Sequence, residues 1–486
     1  MMSVCKVNSI KSVYVSAAHK SSGKTIISIG LTRLLKNLNY NIQTFKKGPD
    51  YIDMSWLASA SHQKCYNLDF NTQTKKEIFN FYNNKKADLN IIEGNKGLFD
   101  GLDLSGKDDN SAMSILLNIP VILVIDTQGI TRGIAPLLQG YVNFEKNCNI
   151  KGVVLNKVNN DRHENKLINS IKKYTDLEVL GSIRKNKDLI ISERHLGLIP
   201  ANEKKLVNEK ISKISDIIEK SIDKNSFYKF GINFEKNNNQ NINRKTYANQ
   251  TNLKLNKNDI KIGIFYDSSF GFYYADDIEN FIRYGAEIIY IDSQRDQSLP
   301  DIDALFIGGG FPEINARKIE KNKKLMNSVK KFIEKDHPCY AECGGLMYLA
   351  ESIRYKNKKY KMAGVIPGDV IMFSKPIGRG YVKLIPTNKH PWKIKEKISI
   401  NAHEFHYAKL NFKKNIRKNF SYTMKRGYGI DSNSDGFVYK NMLANFSHLR
   451  HTKKMPWIKH FINFIKENKN DKSYKRSISN YKRRDK

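Results

Sequence analysis

The chain has 486 residues and a formal net charge of +35, and 40% of its residues are hydrophobic. That length predicts two domains, each long enough to bury its own core. The five cysteines are odd in number and scattered, so they do not imply a disulfide framework and indicate a cytoplasmic protein. The polar N-terminus lacks a signal-peptide pattern, and the strongest apolar runs, such as 119–125, have the length of strands and predict no membrane span.

The positive charge is the feature that would favour a nucleic-acid partner. It is spread along the chain, rich in lysine, and accompanied by many Asn and Ile residues, as a codon bias toward A and T would produce. We therefore expect solvated basic faces, which would also attract a polyanionic small substrate, and neither a nucleic-acid nor a membrane partner. The polar segment 468–486 is predicted to be a disordered basic tail.

The first functional signal is the stretch 13–25, which reads VYVSAAHKSSGKT. An apolar run breaks into a loop of small residues that ends Gly23-Lys24-Thr25, and a helical pattern follows at once. In a phosphate-binding loop, backbone N–H groups hold phosphate oxygens, the lysine reaches the β- and γ-phosphates, and the hydroxyl holds Mg²⁺. The sequence therefore predicts a nucleoside triphosphate site, although Ala18 stands where the common pattern has glycine.

Charged residues follow the next predicted strands, at the edge where open α/β sheets bind ligands. The candidates for substrate binding follow two predicted strands. Lys46, Asp50, Tyr51 and Asp53 come after the strand 41–45, and Asp100 lies in the loop beyond the strand 89–92. The alternative for Asp50 and Asp53 is that they only shape a Gly-Pro turn, because Asp is common in turns. For Asp100 the choice is open between the substrate and a second metal.

Other strand ends carry candidates for the metal and the nucleotide. Glu93 directly follows an apolar strand, which is where P-loop proteins hold Mg²⁺ or its water. Asp126 ends the strand 120–125 in the same way, so the metal candidates are Thr25, Glu93 and Asp126. Asn156, at the end of the strand 152–155, is predicted to meet the nucleotide base.

Strands that alternate with helices predict a largely parallel, doubly wound α/β sheet for this first domain. A helix with an apolar stripe from 207 to 222 closes it, and the polar stretch 226–258 is typical of an exposed linker. A second α/β series begins near 260. We therefore divide the chain into a nucleotide-binding domain at 1–225, the linker at 226–258, a second domain at 259–467 and the tail at 468–486.

The second domain carries a candidate nucleophile. Its predicted strand 338–341 runs into Glu342-Cys343-Gly344-Gly345, the thiol version of a nucleophile elbow. We predict that the helix N-terminus behind Cys343 lowers the pKa of its thiol, whereas Cys339 is a buried structural cysteine. His448, in the motif ANFSH, is the candidate general base.

Glycine-rich backbone is predicted to bind the oxyanion of this reaction. The strand 303–307 runs into GGGFPE at 308–313, where glycines leave backbone N–H groups free. The predicted oxyanion residues are Gly309, Gly310 and Gly344.

The motif HEFHY at 403–407 suggests zinc but does not match the pattern H-E-x-x-H, because the fifth residue is Tyr407. We reject a zinc site. We interpret the motif, together with 379–381, as an interface or substrate-facing cluster, and a structural role is an equal alternative for His403 and His406.

Both domains carry motifs of a known family. The first has KKGPDYID, EGNKGLFDG and RHLGL, and the second has GGGFPE, AECGGLMYL, HEFHY and FSHL. In this order the motifs resemble the cobyrinic acid a,c-diamide synthase family over nearly the whole chain apart from linker and tail. The resemblance implies two doubly wound α/β domains, a P-loop amidoligase and a class I glutamine amidotransferase.

The reaction that the resemblance implies is ATP- and glutamine-dependent amidation of the a and c carboxylates of a corrin-type tetrapyrrole, cobyrinic acid. Cys343 would attack L-glutamine to give a γ-glutamyl thioester, with His448 shuttling protons as ammonia leaves. ATP and Mg²⁺ would activate the substrate carboxylate as an acyl phosphate. Carried over by position, the roles are nucleotide binding for Ser22, Gly23, Lys24 and Thr25, metal binding for Glu93 and Asp126, and substrate handling for Asp50, Asp53 and Asp100.

Three residues depart from the family pattern. Met54 and Leu57 stand where members commonly have Pro and His, and Arg450 stands where they have a second histidine near the C-terminus. These departures bear on substrate choice and rate more than on fold. The residues do not separate corrins from siroheme or nickel-sirohydrochlorin as substrates, and they leave a homodimer open.

Rival hypotheses come from within and outside this class. Cobyric acid synthases share the domain pairing but carry an Asn-Met-Ser type of sequence in place of Gly-Pro-Asp-Tyr. A dethiobiotin-synthetase-like enzyme would need no second domain. The net charge of +35 motivates a P-loop partition-type ATPase that binds nucleic acid and has a decayed glutaminase domain.

Overall fold

The computed structural model describes residues 11–85, 87–191, 204–229, 232, 234, 260–394 and 398–484. The chain forms two compact units, which divide after Ala248. The motif RHLGL at 194–198, Cys5 and most of the predicted linker lie outside the described residues. In the part of the chain that is described, no helix combines the length and the apolar character needed to cross a membrane.

The N-terminal unit is built on a seven-stranded sheet in which all neighbouring strands are parallel. Its strands are β1 (Lys11–Ala17), β2 (Ile42–Lys47), β3 (Cys65–Leu68), β4 (Leu89–Glu93), β5 (Val121–Asp126), β6 (Ile150–Val158) and β7 (Glu178–Arg184). Their order across the sheet is β3-β2-β4-β1-β5-β6-β7. The central strands are buried almost throughout, which explains why their sequences are nearly continuous apolar runs. This confirms the predicted parallel α/β fold.

Helices follow these strands. They are α1 (Lys24–Asn37), α2 (Ile52–Ser61), α3 (Lys75–Asn83), α4 (Asn110–Leu117), α5 (Ile134–Phe144), α6 (Asp161–Tyr174), α7 (Lys204–Ser221) and α8 (Lys224–Lys229), with a 3₁₀ turn at Lys187–Leu189. Helix α3 begins with a capping box, in which Thr74 and Glu77 each satisfy a backbone N–H group of the other. Helix α8 extends into the range that we assigned to the linker.

The packing of α7 on α1 depends on a glycine. A Cβ added to Gly30 would lie 2.3 Å from Cγ1 and 2.9 Å from Cβ of Ile218, whereas Gly140 in α5 has open space around it. We expect Gly30→Ala to lower the free energy of unfolding of this unit by about 1–3 kcal/mol through overpacking. The matched change Gly140→Ala should raise it by about 0.5–1 kcal/mol, because alanine favours the helix. Urea unfolding followed by circular dichroism measures both, and equal effects of the two changes would contradict this packing.

The described residues of the C-terminal unit form three sheets. Its strands are β8 (Ile260–Phe265), β9 (Phe270–Phe272), β10 (Ala286–Ile291), β11 (Ala304–Ile307), β12 (Gly309–Gly310), β13 (Cys339–Glu342), β14 (Ala350–Tyr355), β15 (Lys358–Lys361), β16 (Ile366–Met372), β17 (Gly378–Pro386), β18 (Ile400–His406), β19 (Ala408–Phe412), β20 (Phe420–Arg426), β21 (Ser434–Tyr439) and β22 (Met442–Asn445). The main sheet has the order β10-β8-β11-β13-β22-β21-β20-β17-β18. It is parallel from β10 to β22 and antiparallel beyond, so only its first half is a doubly wound sheet.

The helices of this unit are α9 (Ala275–Arg283), α10 (Ala316–Lys321), α11 (Lys323–Glu334), α12 (Gly344–Leu349) and α13 (Trp457–Arg484). Trp457 and Phe461 anchor the start of α13 in an aromatic core around Phe306 and Tyr340. The helix then continues to Arg484, whereas we predicted a disordered basic tail from 468. Once a packed turn has nucleated a helix, each further lysine or arginine extends it with little penalty.

Candidate active sites

The phosphate loop lies between β1 and α1, as the sequence predicts. Gly23 is the N-cap of α1 with φ of +100°, a conformation that favours glycine. Ser21 also has positive φ but Ala18 does not, so an alanine fits there without backbone strain. The loop therefore keeps the shape of a phosphate cradle despite its variant sequence.

Asn156 holds this loop from the neighbouring strand β6. Its Nδ2 donates to the backbone oxygen of Ser22 over 2.8 Å, and a Cβ on Gly23 would lie only 2.2 Å from that Nδ2. Ser22 Oγ donates in turn to the backbone oxygen of His19 over 2.8 Å. The predicted contact of Asn156 with the nucleotide base remains a prediction, and the structure adds a role in positioning the loop backbone.

A buried cluster of charges lies at the ends of β2 and β4. Lys46 Nζ lies 2.6 Å from Asp53 Oδ2 and 2.8 Å from Glu93 Oε1. Lys46 and Glu93 meet because they are register partners in the parallel β2–β4 pair. Burial would lower the pKa of Lys46, but Asp53 and Glu93 raise it well above its usual value, so the lysine stays charged.

Thr25 brings the phosphate loop to this cluster. Its hydroxyl lies 2.7 Å from Glu93 Oε1, to which it donates, and 3.4 Å from Asp53 Oδ2. Glu93 Oε2 is buried and has no hydrogen-bond partner among the described residues, and burial raises the pKa of the carboxyl. Carboxylate and hydroxyl oxygens are the ligands that Mg²⁺ prefers, so Thr25, Asp53 and Glu93 fit that ion. The described residues contain no group of three or more His, Cys, Asp or Glu that would hold a metal without the hydroxyl.

The other predicted metal ligand has a different partner. Asp126 ends β5, and its Oδ2 lies 2.6 Å from Nζ of Lys157. Its backbone is paired with that of Asn156 in the neighbouring strand β6. The structure therefore groups Asp53, which we assigned to the substrate, with Thr25 and Glu93, and the metal role of Asp126 remains a prediction.

The other predicted substrate residues shape the same edge of the sheet. Asp50 Oδ1 accepts the N–H groups of Ile52 and Asp53 over 2.8 and 2.9 Å at the start of α2. Burial, and then the nearby Asp53, raise the pKa of Asp50 to about 7. Asp100 Oδ2 accepts the N–H of Gly97 over 2.9 Å, and Tyr51 is buried. The turn role considered for Asp50 is therefore real.

Lys24 should couple nucleotide binding to pH. Burial, followed by the charge of Lys46, lowers its pKa to about 8, so the lysine loses its charge as pH rises through that value. Bound phosphates would restore the proton. We expect ATP affinity to be constant below pH 7 and to fall by about tenfold per pH unit well above pH 8, with proton uptake on binding.

Isothermal titration in two buffers of different ionisation enthalpy measures this uptake at pH 8.5. Lys47 is the matched control, because burial also lowers its pKa to about 8 while its Nζ donates to Asn95. Uptake should survive in Lys47→Met and disappear in Lys24→Met. No uptake in the unchanged protein would contradict the assignment.

Cys343 forms the predicted nucleophile elbow between β13 and α12. It has φ of +48°, an uncommon value for a residue with a side chain, and its N–H donates to the backbone oxygen of Asn445 over 2.7 Å. Its Sγ lies 3.9 Å from the backbone oxygen of Phe405. Contrary to our prediction, the pKa of the thiol is raised, first by burial and then by the acid Glu313. The short helix α12 does not outweigh the loss of water around the sulfur.

The glycine triplet packs against this elbow. A Cβ on Gly344 would lie 2.9 Å from the backbone nitrogen of Gly310. We predicted that the glycines of the triplet leave their backbone N–H groups free. For Gly308 this prediction is wrong, because its N–H donates to the hydroxyl of Tyr273 over 2.9 Å. Gly309 and Gly310 pair with β9, which fixes their backbone beside Cys343. The oxyanion role of Gly309, Gly310 and Gly344 remains a prediction.

His448 lies against the same glycines. A Cβ atom added to Gly309 would lie only 2.4 Å from Cε1 of His448. Since Gly344 of the elbow packs on Gly310, the elbow and the candidate base both contact the segment Gly309–Gly310. The ring of His403 stacks on that of His448 at a centroid distance of 4.8 Å. Sequence reasoning missed Glu342, whose Oε2 lies 3.3 Å from His448 Nδ1. The signal that could have identified Glu342 is its position directly before the candidate nucleophile Cys343.

Most side chains of the motif HEFHY are buried. His403, Glu404 and His406 are buried, so they do not form the interface that we considered. Glu404 accepts the N–H groups of Tyr428 and Gly429 over 2.7 and 2.8 Å, and His406 stacks on Phe446. Phe405 alone among these four side chains is exposed.

The chain matches two family descriptions and many curated proteins. Residues 15–199 match the CobQ/CobB/MinD/ParA nucleotide binding domain, and residues 261–455 match the CobB/CobQ-like glutamine amidotransferase domain. The cobyrinate a,c-diamide synthase of Magnetococcus marinus is 35% identical over 474 residues, which cover 94% of this chain and 98% of the relative. That of Methanobrevibacter smithii is 36% identical and covers 91% of this chain and 96% of the relative.

Solved structures resemble only part of the chain. PurLQS from Thermotoga maritima aligns with 43% of this chain and 98% of its own, with 16% identity and a TM-score of 0.33. That likeness is too weak to support a statement about this protein.

A nucleotide-binding P-loop domain and a glutamine amidotransferase domain in one chain define a glutamine-dependent ligase. Relatives more than 30% identical span nearly all of the sequence. The chain therefore belongs to the cobyrinate a,c-diamide synthase family, which confirms the resemblance seen in its motifs.

Proposed function

We propose that this protein amidates the a and c carboxylates of cobyrinic acid, a corrin-type tetrapyrrole, with nitrogen from glutamine and energy from ATP. The observation that carries the proposal is the pairing of a phosphate loop and acid cluster with the Cys343 elbow, in a chain related to cobyrinate a,c-diamide synthases over 94% of its length. Forming an amide from a carboxylate requires an activated acyl group and a source of ammonia. The two sites supply one requirement each.

The C-terminal unit would release the ammonia. Cys343 Sγ attacks the side-chain amide carbon of glutamine, so that a C–S bond forms and the C–N bond breaks. The thiol proton passes through His448 to the leaving nitrogen, because burial keeps the resting cysteine protonated. Water then cleaves the γ-glutamyl thioester to glutamate, and backbone N–H groups of Gly309, Gly310 and Gly344 are the proposed oxyanion donors.

The N-terminal unit would activate the substrate. The phosphate loop and Lys24 bind ATP, a carboxylate of the substrate attacks the γ-phosphorus, and an acyl phosphate and ADP form. Ammonia then displaces phosphate to give the amide. Thr25, Asp53 and Glu93 would hold Mg²⁺, which supplies positive charge against the phosphate oxygens. We assign Asp50, Tyr51 and Asp100 to the substrate, with Asp126 beside the metal.

A panel of substrates tests this proposal. Purified protein is given ATP, Mg²⁺ and glutamine with cobyrinic acid, siroheme or nickel-sirohydrochlorin, and products are identified by mass. Diamidation of cobyrinic acid is expected, and ¹⁸O in its carboxylates should pass to inorganic phosphate. Product from only one of the other tetrapyrroles would identify a different substrate, and no product from any would overturn the proposed function.

A further inference from the structure

We propose that Glu342 is a positioning residue that holds His448 in the tautomer needed for glutamine hydrolysis. This inference rests on the proposed role of His448 as the general base. Glu342 directly precedes Cys343, and its Oε2 lies 3.3 Å from Nδ1 of His448. Neither side chain has more than 3% of its surface exposed, so little water competes for this contact.

The carboxylate of Glu342 is itself fixed. Its Oε1 accepts the hydroxyl of Tyr340 over 2.6 Å and the N–H of Leu449 over 2.9 Å. These donors come from β13 and from the chain just after β22, and the two strands are parallel neighbours. Oε1 is therefore occupied from both sides, and Oε2 lies 3.3 Å from Nδ1 of the imidazole. A carboxylate held in this way controls the orientation of its partner more tightly than a mobile one.

The ring of His448 is confined on its other sides. His403 stacks on it with ring planes only 16° apart, and Gly309 leaves no room for a Cβ beside Cε1. Burial, followed by the charges of His448 and Arg450, holds the pKa of His403 well below its usual range, so the stacked ring stays neutral. The plane of His448 is thus set by packing, and what remains to be determined is which ring nitrogen carries the proton.

We infer that the nearby carboxylate of Glu342 determines that choice. It favours the tautomer with hydrogen on Nδ1 and leaves the lone pair on Nε2 as the base. When the thiol proton of Cys343 moves to Nε2, the resulting imidazolium lies beside the negative charge of Glu342. In a buried site that attraction stabilises the charged state through which the reaction passes.

Other charged groups near His448 have different partners. Arg450, from the loop after β22, lies 3.1 Å from Asp276 of α9. Glu404, from β18, is held by two backbone N–H groups, and Asp435, from β21, accepts those of Phe446 and Ser447. Among the described residues, the titratable side chain that stacks on the imidazole is His403. The carboxylate that acts on His448 is therefore Glu342.

The first test replaces Glu342 by glutamine, which keeps the shape but not the charge. We expect kcat for glutamine hydrolysis to fall by about 10²–10⁴-fold with little change in KM, as when the acid of a hydrolase triad is made neutral. The acidic limb of the kcat/KM profile should move to lower pH, because the imidazolium loses its counter-charge. Amidation with free ammonia should be unchanged. The matched control is Glu351→Gln, which alters a half-buried carboxylate paired with Lys413 in the same unit.

A kcat within threefold of the unchanged protein, an unmoved pH profile, or an equal loss of ammonia-dependent amidation would overturn the inference. A second measurement does not depend on the folding of Glu342→Gln. In ¹⁵N-histidine-labelled, full-length Cys343→Ala protein, His448 should show the tautomer protonated at Nδ1, assigned by comparison with His448→Gln. An Nε2-protonated ring would contradict it. Glutamine hydrolysis by Cys343→Ala would instead show that the proposed function itself fails.

Discussion

Replacing Cys343 by alanine is expected to abolish glutamine-dependent amidation while amidation with free ammonia continues. The thiol sits at a strained elbow beside the segment Gly309–Gly310, and a methyl group there forms no thioester. Loss of a nucleophile that acts as part of a catalytic unit lowers the rate by about 10⁴-fold or more. The acyl phosphate made in the other unit would still react with ammonia from solution. Steady-state assays of the amidated product, with glutamine or with ammonium salt at high pH, measure both reactions.

Cys339 provides the matched control for this change. It begins β13, the strand that leads to Cys343, is fully buried, and belongs to the hydrophobic core rather than to the elbow. Cys339→Ala should retain both activities and lose about 1 kcal/mol of stability or less, since only one small group is removed. The two-site scheme would be contradicted if Cys343→Ala lost ammonia-dependent amidation as well while remaining folded.

Replacing Lys24 by alanine should produce the opposite pattern. Lys24 is buried at the start of α1, within electrostatic reach of Glu93, Asp53 and Asp100. Its ammonium group is the charge that the loop presents to the β- and γ-phosphates. We expect the rate of amidation to fall by about 10²–10³-fold with either nitrogen source. The reason is that the ammonium group no longer stabilises the negative charge on the phosphoryl group in the transition state. Hydrolysis of glutamine to glutamate at Cys343 should remain.

Lys36 is the control for this second change. It lies in the last turn of the same helix, at the end opposite the phosphate loop. Lys36→Ala should leave both half-reactions intact. If Lys24→Ala amidated the substrate at a rate near that of the unchanged protein, the phosphate loop would have no part in the reaction. The comparison of Lys24→Ala with Cys343→Ala distinguishes the contributions of the two sites.

The local parts of this fold could be predicted from sequence. The phosphate loop and the elbow each combine a strand, a turn and a helix within a few residues, so their signals are complete in one stretch of chain. The antiparallel half of the large sheet and the sheet β15-β14-β16-β19 were not predicted. Strand β15, for example, reads KKYK and is mostly exposed, so it lacks the apolar pattern that identifies a strand.

The contacts that complete the sites depend on register rather than on motifs. Lys46 meets Glu93 only because β2 pairs with β4, and Glu342 meets His448 only because β13 pairs with β22. Sequence spacing carries no information about such pairs. The thiol pKa of Cys343 was predicted in the wrong direction for a related reason, because burial is a property of the whole unit while the helix N-terminus is local.

The most direct test of the account follows the amide nitrogen of glutamine. The full-length protein is incubated with glutamine labelled with ¹⁵N in its side-chain amide, together with ATP, Mg²⁺ and cobyrinic acid, and the product is examined by mass spectrometry. We expect ¹⁵N in both new amides, with one ADP formed for each. Amides without ¹⁵N when glutamine is the only nitrogen source added, or amidation without ATP hydrolysis, would contradict it.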